Sequence, residues 1–228
     1  MSSSPFLPFV APFGAFLILT QLESLEPLRP YYPWVYVGKI LLVGGMCLAF
    51  RKSWPVFSTR GLGWAVLFGV VGVGLWVLLA GMGVEKRIVE SIPAMKSLFP
   101  DRVGFNPFQE IADPIARYAF LIARFIGLAL IVPIIEEVFW RGFLLRYLID
   151  DRQFNSVPVG TFSSMSFLLV TLFFGLVHPE LVAALFWGAG INLLLYQTRN
   201  LWATVIAHGI TNLLLGIYVL QYGAWQLW

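Results

Sequence analysis

The segment that decides the fold is an apolar stretch with charge in its middle. Residues 116–149 read ARYAFLIARFIGLALIVPIIEEVFWRGFLLRYLI, and the adjacent carboxylates Glu136 and Glu137 lie well inside it. An apolar run of about 17–25 residues can cross a bilayer as a helix. A helix that ends near Glu136 would leave only an interfacial ion pair, but the apolar character continues after Glu137. Because a charge at bilayer depth costs about 2.5–3.5 kcal/mol on insertion scales, we predict that this helix carries a functional site.

The composition of the whole chain indicates a membrane protein. Of 228 residues, 59% are apolar and only 12% are charged, and the mean hydropathy is +0.81. A soluble domain usually has about 25% charged residues. Too few polar side chains are present to cover a surface that faces water. These values exclude an ordinary soluble domain, a disordered chain and a nucleic-acid-binding protein.

Seven apolar segments are candidate membrane spans: residues 6–22, 35–50, 62–84, 116–149, 162–177, 181–196 and 201–220. Between the third and fourth, residues 85–115 are polar and contain four prolines, which indicates a surface loop with one short interfacial helix. We therefore predict an all-α, polytopic helical bundle of about seven spans (six to eight). In this prediction, residues 1–115 are N-terminal membrane helices with the polar loop, and residues 116–228 are a catalytic core of four helices.

The short loops carry the charge that sets membrane orientation. Lysine and arginine residues lie in three of them, between spans two and three, after span four, and between spans six and seven: Arg51, Lys52, Arg60, Arg146, Arg152 and Arg199. With seven spans, all three loops fall on the same side of the membrane. Cytoplasmic loops are enriched in these residues, so we predict that this side and the N-terminus are cytoplasmic.

The spacing of the charged residues in the fourth span separates two roles. Glu137 and Arg141 are four residues apart on one helix face, so they can form an ion pair. Glu136 is turned by about 100° from Glu137 around a helix of 3.6 residues per turn. Glu136 is therefore predicted to face another environment, where it can serve as a general base. Arg124, earlier in the same span, is expected to extend to the interface near Arg117 rather than to contact a substrate.

The two histidines of the chain are the second signal. His178 and His208 both lie at or inside apolar segments, and Asn212 follows His208 by one helical turn. A single buried histidine is more often a structural residue, but here the entire histidine complement lies in membrane segments that also contain carboxylates. We predict that the histidines share one site. Along straight helices they lie at different depths, so they meet only if the fifth span is short or tilted, or if a cavity extends across that depth. Asn192, on span six, is expected to form a helix–helix hydrogen bond.

Three motifs together resemble those of the CPBP family, also called the Abi or CAAX-protease-like family, which includes the CAAX prenyl endoprotease and bacterial proteins of bacteriocin self-immunity. Residues 136–141 (EEVFWR) fit EExxxR, residues 174–178 (FGLVH) fit FxxxH, and residues 208–212 (HGITN) fit HxxxN. Their order also agrees, with one helix between the second and third motifs. The resemblance covers residues 116–220.

The resemblance implies an intramembrane endopeptidase that hydrolyses a peptide bond of a membrane-associated protein or peptide, in a multi-pass protein of the bacterial cytoplasmic membrane. Four residues are implied to be catalytic: Glu136, His178, His208 and Asn212. Glu136 with His178 would activate the attacking water, and the other two would stabilise the oxyanion. Glu137 and Arg141 would form a structural pair at the site. No cofactor is expected in this mechanism, and the resemblance alone does not establish a prenylated substrate.

Three alternatives stay open at this point. Glu136, His178 and His208 could be the ligands of a catalytic zinc ion, since two histidines and one glutamate form a known zinc set. The chain could also be a non-catalytic immunity or scaffold protein that binds a partner peptide in the same cavity. Carboxylates and histidines in membrane helices also suit a proton channel or transporter, although no inverted repeat is visible in the sequence.

Overall fold

A computed structural model describes residues 4–92 and 104–228, and in that part of the chain all regular elements are helices. The α-helices in chain order are α1 (Leu7–Glu23), α2 (Tyr32–Phe50), α3 (Leu62–Gly81), α4 (Val84–Ser91), α5 (Pro107–Glu110), α6 (Pro114–Ile126), α7 (Val132–Glu137), α8 (Leu145–Tyr147), α9 (Ser164–Leu176), α10 (Leu181–Thr198) and α11 (Leu201–Tyr222). Residues 93–103, which belong to the predicted polar loop, lie outside the described residues.

Five of the helical stretches are long and apolar enough to cross a bilayer: Glu26–Ser53, Leu62–Ser91, Pro114–Tyr147, Leu181–Thr198 and Leu201–Tyr222. The first and fifth predicted spans are also apolar helices but are shorter, with 17 residues in α1 and 13 in α9. This architecture confirms the prediction of a polytopic helical bundle. The short α9 matters for the site, because it ends at Leu176, two residues before His178.

The long helix Pro114–Tyr147 joins α6, α7 and α8 through two π-helical segments, Gly127–Ile131 and Val138–Leu144. The side chain of Asp113 caps its start by accepting a hydrogen bond from the backbone N–H of residue 116 at 2.8 Å. In the first π segment the Val132 N–H donates to the carbonyl of Gly127, five residues back. Such π segments are often found at functional sites, and these two flank the adjacent carboxylates.

Polar and apolar side chains are distributed as expected for a protein in lipid. Leu41 and Leu78, in α2 and α3, are 71% and 65% exposed on the outer surface. Glu137, Arg141 and Asn192 are fully buried inside the bundle. Lipid offers no hydrogen-bond partner, so polar groups must find theirs within the protein. The charged residues of the fourth span therefore face the interior.

The two predicted parts of the chain pack into one hydrophobic cluster. Helix α3 lies against α10 and α11, and glycines allow the close approach. A Cβ atom at Gly69 would lie 2.8 Å from the carbonyl oxygen of Ala207, and one at Gly72 would lie 2.9 Å from the indole nitrogen of Trp187. The boundary at residues 115/116 stays a prediction, but α3 from the N-terminal part is an integral wall of the core.

The N-terminal helices also contain a buried ion pair that the sequence analysis missed. The ammonium of Lys39 on α2 donates to Glu23 Oε1 on α1 at 2.6 Å and to the hydroxyl of Thr20 at 3.0 Å. Both charged side chains are at most 8% exposed. Span two was treated as an apolar run despite its lysine, and the acid lies at the very end of α1. This pair fastens α1 to α2.

Candidate active site

All four residues predicted to be catalytic line one cavity of about 180 Å³ between the long helix, the end of α9, and α11. They are Glu136, His178, His208 and Asn212. Histidines 30 residues apart in sequence reach the same cavity because α9 ends at Leu176, after only 13 residues. His178 therefore lies in the turn after α9. A short fifth span, one of the conditions under which the two histidines could meet, is present.

Glu136 and His178 face each other across a gap. Glu136 Oε2 lies 3.9 Å from His178 Nε2, which is too long for a direct hydrogen bond. Within the described residues, Glu136 Oε2 has no hydrogen-bond partner, although it is buried. His178 Nδ1 lies 2.7 Å from the carbonyl of Phe174, so Nδ1 carries the hydrogen and donates it. In the neutral imidazole, Nε2 is then an acceptor, and two acceptors face the same small space.

Glu137 has two partners on a single oxygen. Its Oε1 accepts a hydrogen bond from Arg141 Nη1 at 3.1 Å and another from His208 Nδ1 at 2.9 Å. The ion pair predicted from the spacing is therefore formed, and both side chains are fully buried. The contact with His208 is an addition to that prediction. Because Nδ1 of His208 donates its hydrogen to the carboxylate of Glu137, Nε2 is the ring nitrogen that remains for the cavity.

Arg141 holds four helices together. Its Nε donates to Asn192 Oδ1 on α10 at 2.9 Å, and its Nη2 donates to the carbonyl of Gly188 at 3.3 Å. Asn192 in turn donates to the hydroxyl of Thr171 on α9 at 3.1 Å. With the contact from Glu137 to His208 on α11, this network joins the long helix to α9, α10 and α11. The interhelical hydrogen bond expected of Asn192 is thus part of a larger polar core.

Asn212 is positioned by the backbone carbonyl of Leu128, which has no backbone N–H partner because the residue five positions later is Pro133. Its Nδ2 donates to the carbonyl oxygen of Leu128 at 2.9 Å. In the π segment that carbonyl would accept from the residue five positions later, which is Pro133 and has no N–H. An amide nitrogen carries two hydrogens, so one remains after this bond. A proline in the middle of a predicted span was the sequence signal for this feature, and the sequence analysis did not use it.

Aromatic side chains form the walls of the cavity: Trp76 of α3, Phe174 of α9 and Trp187 of α10. The ring of Phe174 lies 4.3 Å from the ring of His178, and the ring of Trp187 lies 4.6 Å from the ring of His208. These distances are between ring centroids. Such walls fix both imidazoles and limit the access of water. Trp76 and Trp187 were not predicted as site residues, because an aromatic in an apolar run carries no distinctive signal. Phe174 is the first residue of the FxxxH motif, but no role was predicted for it.

The proposed zinc ligands do not converge as a metal site. Among the described residues, no three side chains of the histidine, cysteine, aspartate and glutamate types are arranged to hold an ion. His208 and His178 each use Nδ1 for a hydrogen bond within the protein, to Glu137 and to the carbonyl of Phe174. Zinc-binding histidines use their second ring nitrogen in the same way, so bound metal is a quantity to be measured.

Arg124 lines the same cavity as Glu136. The sequence favoured extension to the membrane interface over a contact with substrate, and that choice stays a prediction. Its guanidinium carbon lies 4.7 Å from the ring centroid of Tyr36 and 5.4 Å from that of Trp228. The direction of this side chain depends on the rotation of α6 in the bundle, which hydropathy does not show.

The comparison with protein families agrees with this arrangement. Residues 118–214 match the family model described as Type II CAAX prenyl endopeptidase Rce1-like. This segment is thus similar to CAAX prenyl endopeptidases. The matched residues contain all three motifs and both π segments of the long helix. No curated protein and no solved structure matches the chain.

Fold and comparison together indicate the general class of the protein. The helices long and apolar enough to span a bilayer indicate a multi-pass membrane protein. The segment that contains the three motifs is similar to a family of proteases.

Proposed function

We propose that the protein is an intramembrane endopeptidase in which Glu136 acts as the general base for a water molecule. The observation that carries the proposal is the pair of acceptors, Glu136 Oε2 and His178 Nε2, 3.9 Å apart at the cavity wall. A water molecule beside them can donate one hydrogen to each and keep a lone pair for attack. A general base must be within hydrogen-bond distance of the proton that it abstracts. A water molecule at this position would meet that requirement for Glu136.

The reaction follows from these contacts. The water oxygen attacks the carbonyl carbon of the scissile peptide bond while one water proton passes to Glu136. The electron pair of the carbonyl moves to its oxygen, which becomes the oxyanion of a tetrahedral intermediate. As the C–N bond breaks, the proton is delivered from Glu136 to the leaving nitrogen, which departs as an amine. The products are a new carboxylate and a new amino terminus.

His208 and Asn212 are the proposed donors to the oxyanion. Asn212 keeps one N–H after its bond to the carbonyl of Leu128. His208 can donate from Nε2 only as an imidazolium, since its Nδ1–H is already given to Glu137. The carboxylate of Glu137 would stabilise that cation. Donors held in place before the reaction stabilise developing charge without reorganisation.

The substrate is proposed to be a membrane-associated protein or peptide. The cavity is lined by both aromatic and polar side chains and lies inside the bundle, so a segment must unfold locally to present its peptide bond. Nothing in the lining requires a prenyl group.

The test is a comparison of two carboxylates that line the same cavity, Glu136 and Glu180. The substrate is a membrane peptide identified by comparative proteomics of cells that express the wild type or Glu136→Ala. We expect Glu136→Gln to lose about 10²–10⁴-fold in turnover, because an amide cannot accept the proton of water. Glu180→Gln removes the same charge from the cavity but should retain turnover.

Bound metal and chelator sensitivity are measured on the same preparations. Full turnover by Glu136→Gln would exclude Glu136 as the base. Stoichiometric zinc together with chelator-sensitive turnover would instead support the metalloprotease alternative.

A further inference from the structure

Residues 224–228, which follow α11, form part of the wall of the cavity that contains Glu136. The chain leaves α11 at Gly223, whose backbone is left-handed with a φ of 66°, and continues into a short 3₁₀ helix. Leu227 and Trp228 line the cavity. Gln226, which precedes them directly, is exposed. The segment therefore separates this end of the cavity from the outer surface of the protein.

The inner end of this segment is held by the ring of Trp228. Its centroid lies 5.9 Å from the ring centroid of Phe125 and 5.4 Å from the guanidinium carbon of Arg124. The guanidinium of Arg124 is in turn fixed by a hydrogen bond to the side chain of Tyr36 on α2. Trp228 thus rests on a surface of α6 that other contacts hold in place.

The outer end of the segment is fitted against the chain that leads into α5. The ring centroid of Trp225 lies 6.2 Å from that of Phe108. Gly104 allows the approach, because a Cβ atom there would lie 2.5 Å from the backbone carbonyl carbon and from the Cβ of Trp225. A larger residue at position 104 would therefore push the segment away.

In residues 4–92 and 104–228, no backbone hydrogen bond ties residues 224–228 to another element. The bonds of their N–H groups are local: Trp225 donates to Gly223, Leu227 to Ala224, and Trp228 to Trp225. The indole nitrogen of Trp228 also has no hydrogen-bond partner among the described residues. A segment held by side-chain rings alone belongs to the parts of a protein that open locally at low cost.

We propose that residues 224–228 form a lid that must swing away before a peptide enters the cavity, an inference that rests on the proposed peptidase function. Gly223 is the hinge, because glycine adopts positive and negative φ values with similar ease. The lid contacts Arg124, which lies about 18 Å along the helix from Glu136. A peptide that enters under the lid would run along the long helix toward Glu136. A closed lid would keep bulk water and unselected segments away from the site.

The first test measures access to the cavity without any turnover. The native cysteine is removed by Cys47→Ala, and Leu215→Cys places a new thiol on the cavity lining. The rate at which a bulky maleimide labels residue 215 is followed by mass spectrometry in maltoside detergent. This rate reports how often the cavity opens.

Two variants should open the lid by different means. Trp228→Ala removes the contacts with Phe125 and Arg124, so labelling should accelerate by about tenfold. Gly104→Ala leaves the lid sequence intact but displaces Trp225, so it should accelerate labelling by a comparable factor. Agreement between the two variants would show that movement of the lid, rather than loss of one ring, opens the cavity.

The matched controls change a glycine and a tryptophan away from the lid. Gly74→Ala on α3 adds a Cβ atom with no atom within 4 Å, and Trp64→Ala removes a ring that is 54% exposed on the outer surface. Both should label at the wild-type rate. Equal labelling rates in these controls and in the two lid variants would overturn the lid.

The second test holds the lid closed and measures turnover. Phe108→Cys and Trp225→Cys, in the protein that carries Cys47→Ala, are bridged by a short bis-methanethiosulfonate that a reductant removes. Cross-linking should lower kcat/KM for a membrane peptide by at least about tenfold, and reduction should restore it. Phe108→Cys alone, treated with the same reagent, should keep its turnover.

The failures of the two proposals are distinguishable. Unchanged kcat/KM in the cross-linked protein would show that peptides enter elsewhere and would overturn the lid. If cleavage in that protein still depends on Glu136, the peptidase proposal stays intact. Faster labelling in both lid variants, together with the absence of any cleavage that depends on Glu136, would support the lid and overturn the peptidase proposal.

Discussion

Two regions of the molecule bury charge inside the helical bundle, and they do so differently. In the N-terminal helices, the ammonium of Lys39 donates to Glu23 Oε1 at 2.6 Å, so the carboxylate is neutralised by an ion pair. In the core, Glu137 is matched by Arg141, but Glu136 faces a cavity, with His178 Nε2 at 3.9 Å from its Oε2. Buried charge alone therefore does not indicate catalysis. The feature that distinguishes the proposed catalytic carboxylate, Glu136, is that it borders a cavity and faces a second hydrogen-bond acceptor, His178 Nε2.

The largest expected effect concerns stability. Removal of one partner of a buried ion pair strands the other charge and costs about 3–5 kcal/mol. We expect Arg141→Ala to prevent assembly of the core, because Asn192 and the carbonyl of Gly188 also lose their donor. Lys39→Ala should also destabilise the protein, but its folded fraction should keep full turnover. Thermal unfolding in detergent and turnover per folded molecule measure both effects.

The comparison of the two pairs would fail if Arg141→Ala folded with normal stability and only lost turnover. In that case Arg141 would be part of the reaction rather than of the structural network.

The next effect concerns the oxyanion. Asn212→Ala removes one proposed donor and should lower kcat by about 10²–10³-fold, with little change in KM, because the contact strengthens only in the transition state. Asn192→Ala is the control, since this asparagine binds Arg141 rather than the cavity. It should lose about 1–3 kcal/mol of stability through the unpaired guanidinium N–H. Steady-state kinetics and thermal unfolding separate the two asparagines, and a raised KM in Asn212→Ala would indicate substrate binding instead.

The sequence predicted the bundle and four polar residues of the cavity lining, Glu136, His178, His208 and Asn212, because both depend on local signals. Long apolar segments show the spans, and charges inside them mark the interior. The contact of Glu137 with His208 joins residues 71 positions apart, so it requires the packed structure. The pair of Glu23 and Lys39 was missed because each looks like an isolated charge at an apolar segment. The side-chain direction of Arg124 depends on helix rotation, which the composition of α6 does not fix.

The smallest expected effect is a change in kcat when a proline is replaced, and it compares Pro133 in the core with Pro12 in the N-terminal helices. Pro133→Ala restores an N–H that can compete with Asn212 for the carbonyl of Leu128. A hydrogen bond of this kind is worth about 0.5–1.5 kcal/mol, so kcat should fall by roughly tenfold or less. Pro12→Ala makes the same change inside α1, away from the cavity, and should leave kcat unaltered. Equal kinetics for both variants would show that the freed carbonyl does not position Asn212.

The central claim is that Glu136 activates water rather than attacking the peptide itself. Its most direct test is a single turnover in H₂¹⁸O with enzyme in excess, followed by mass spectrometry of the product and of the enzyme peptide that contains Glu136. Attack by activated water places ¹⁸O in the new carboxylate of the product during the first turnover and leaves Glu136 unlabelled. A first-turnover product without label, together with ¹⁸O in the Glu136 carboxylate, would show a covalent acyl-enzyme and contradict the proposed mechanism.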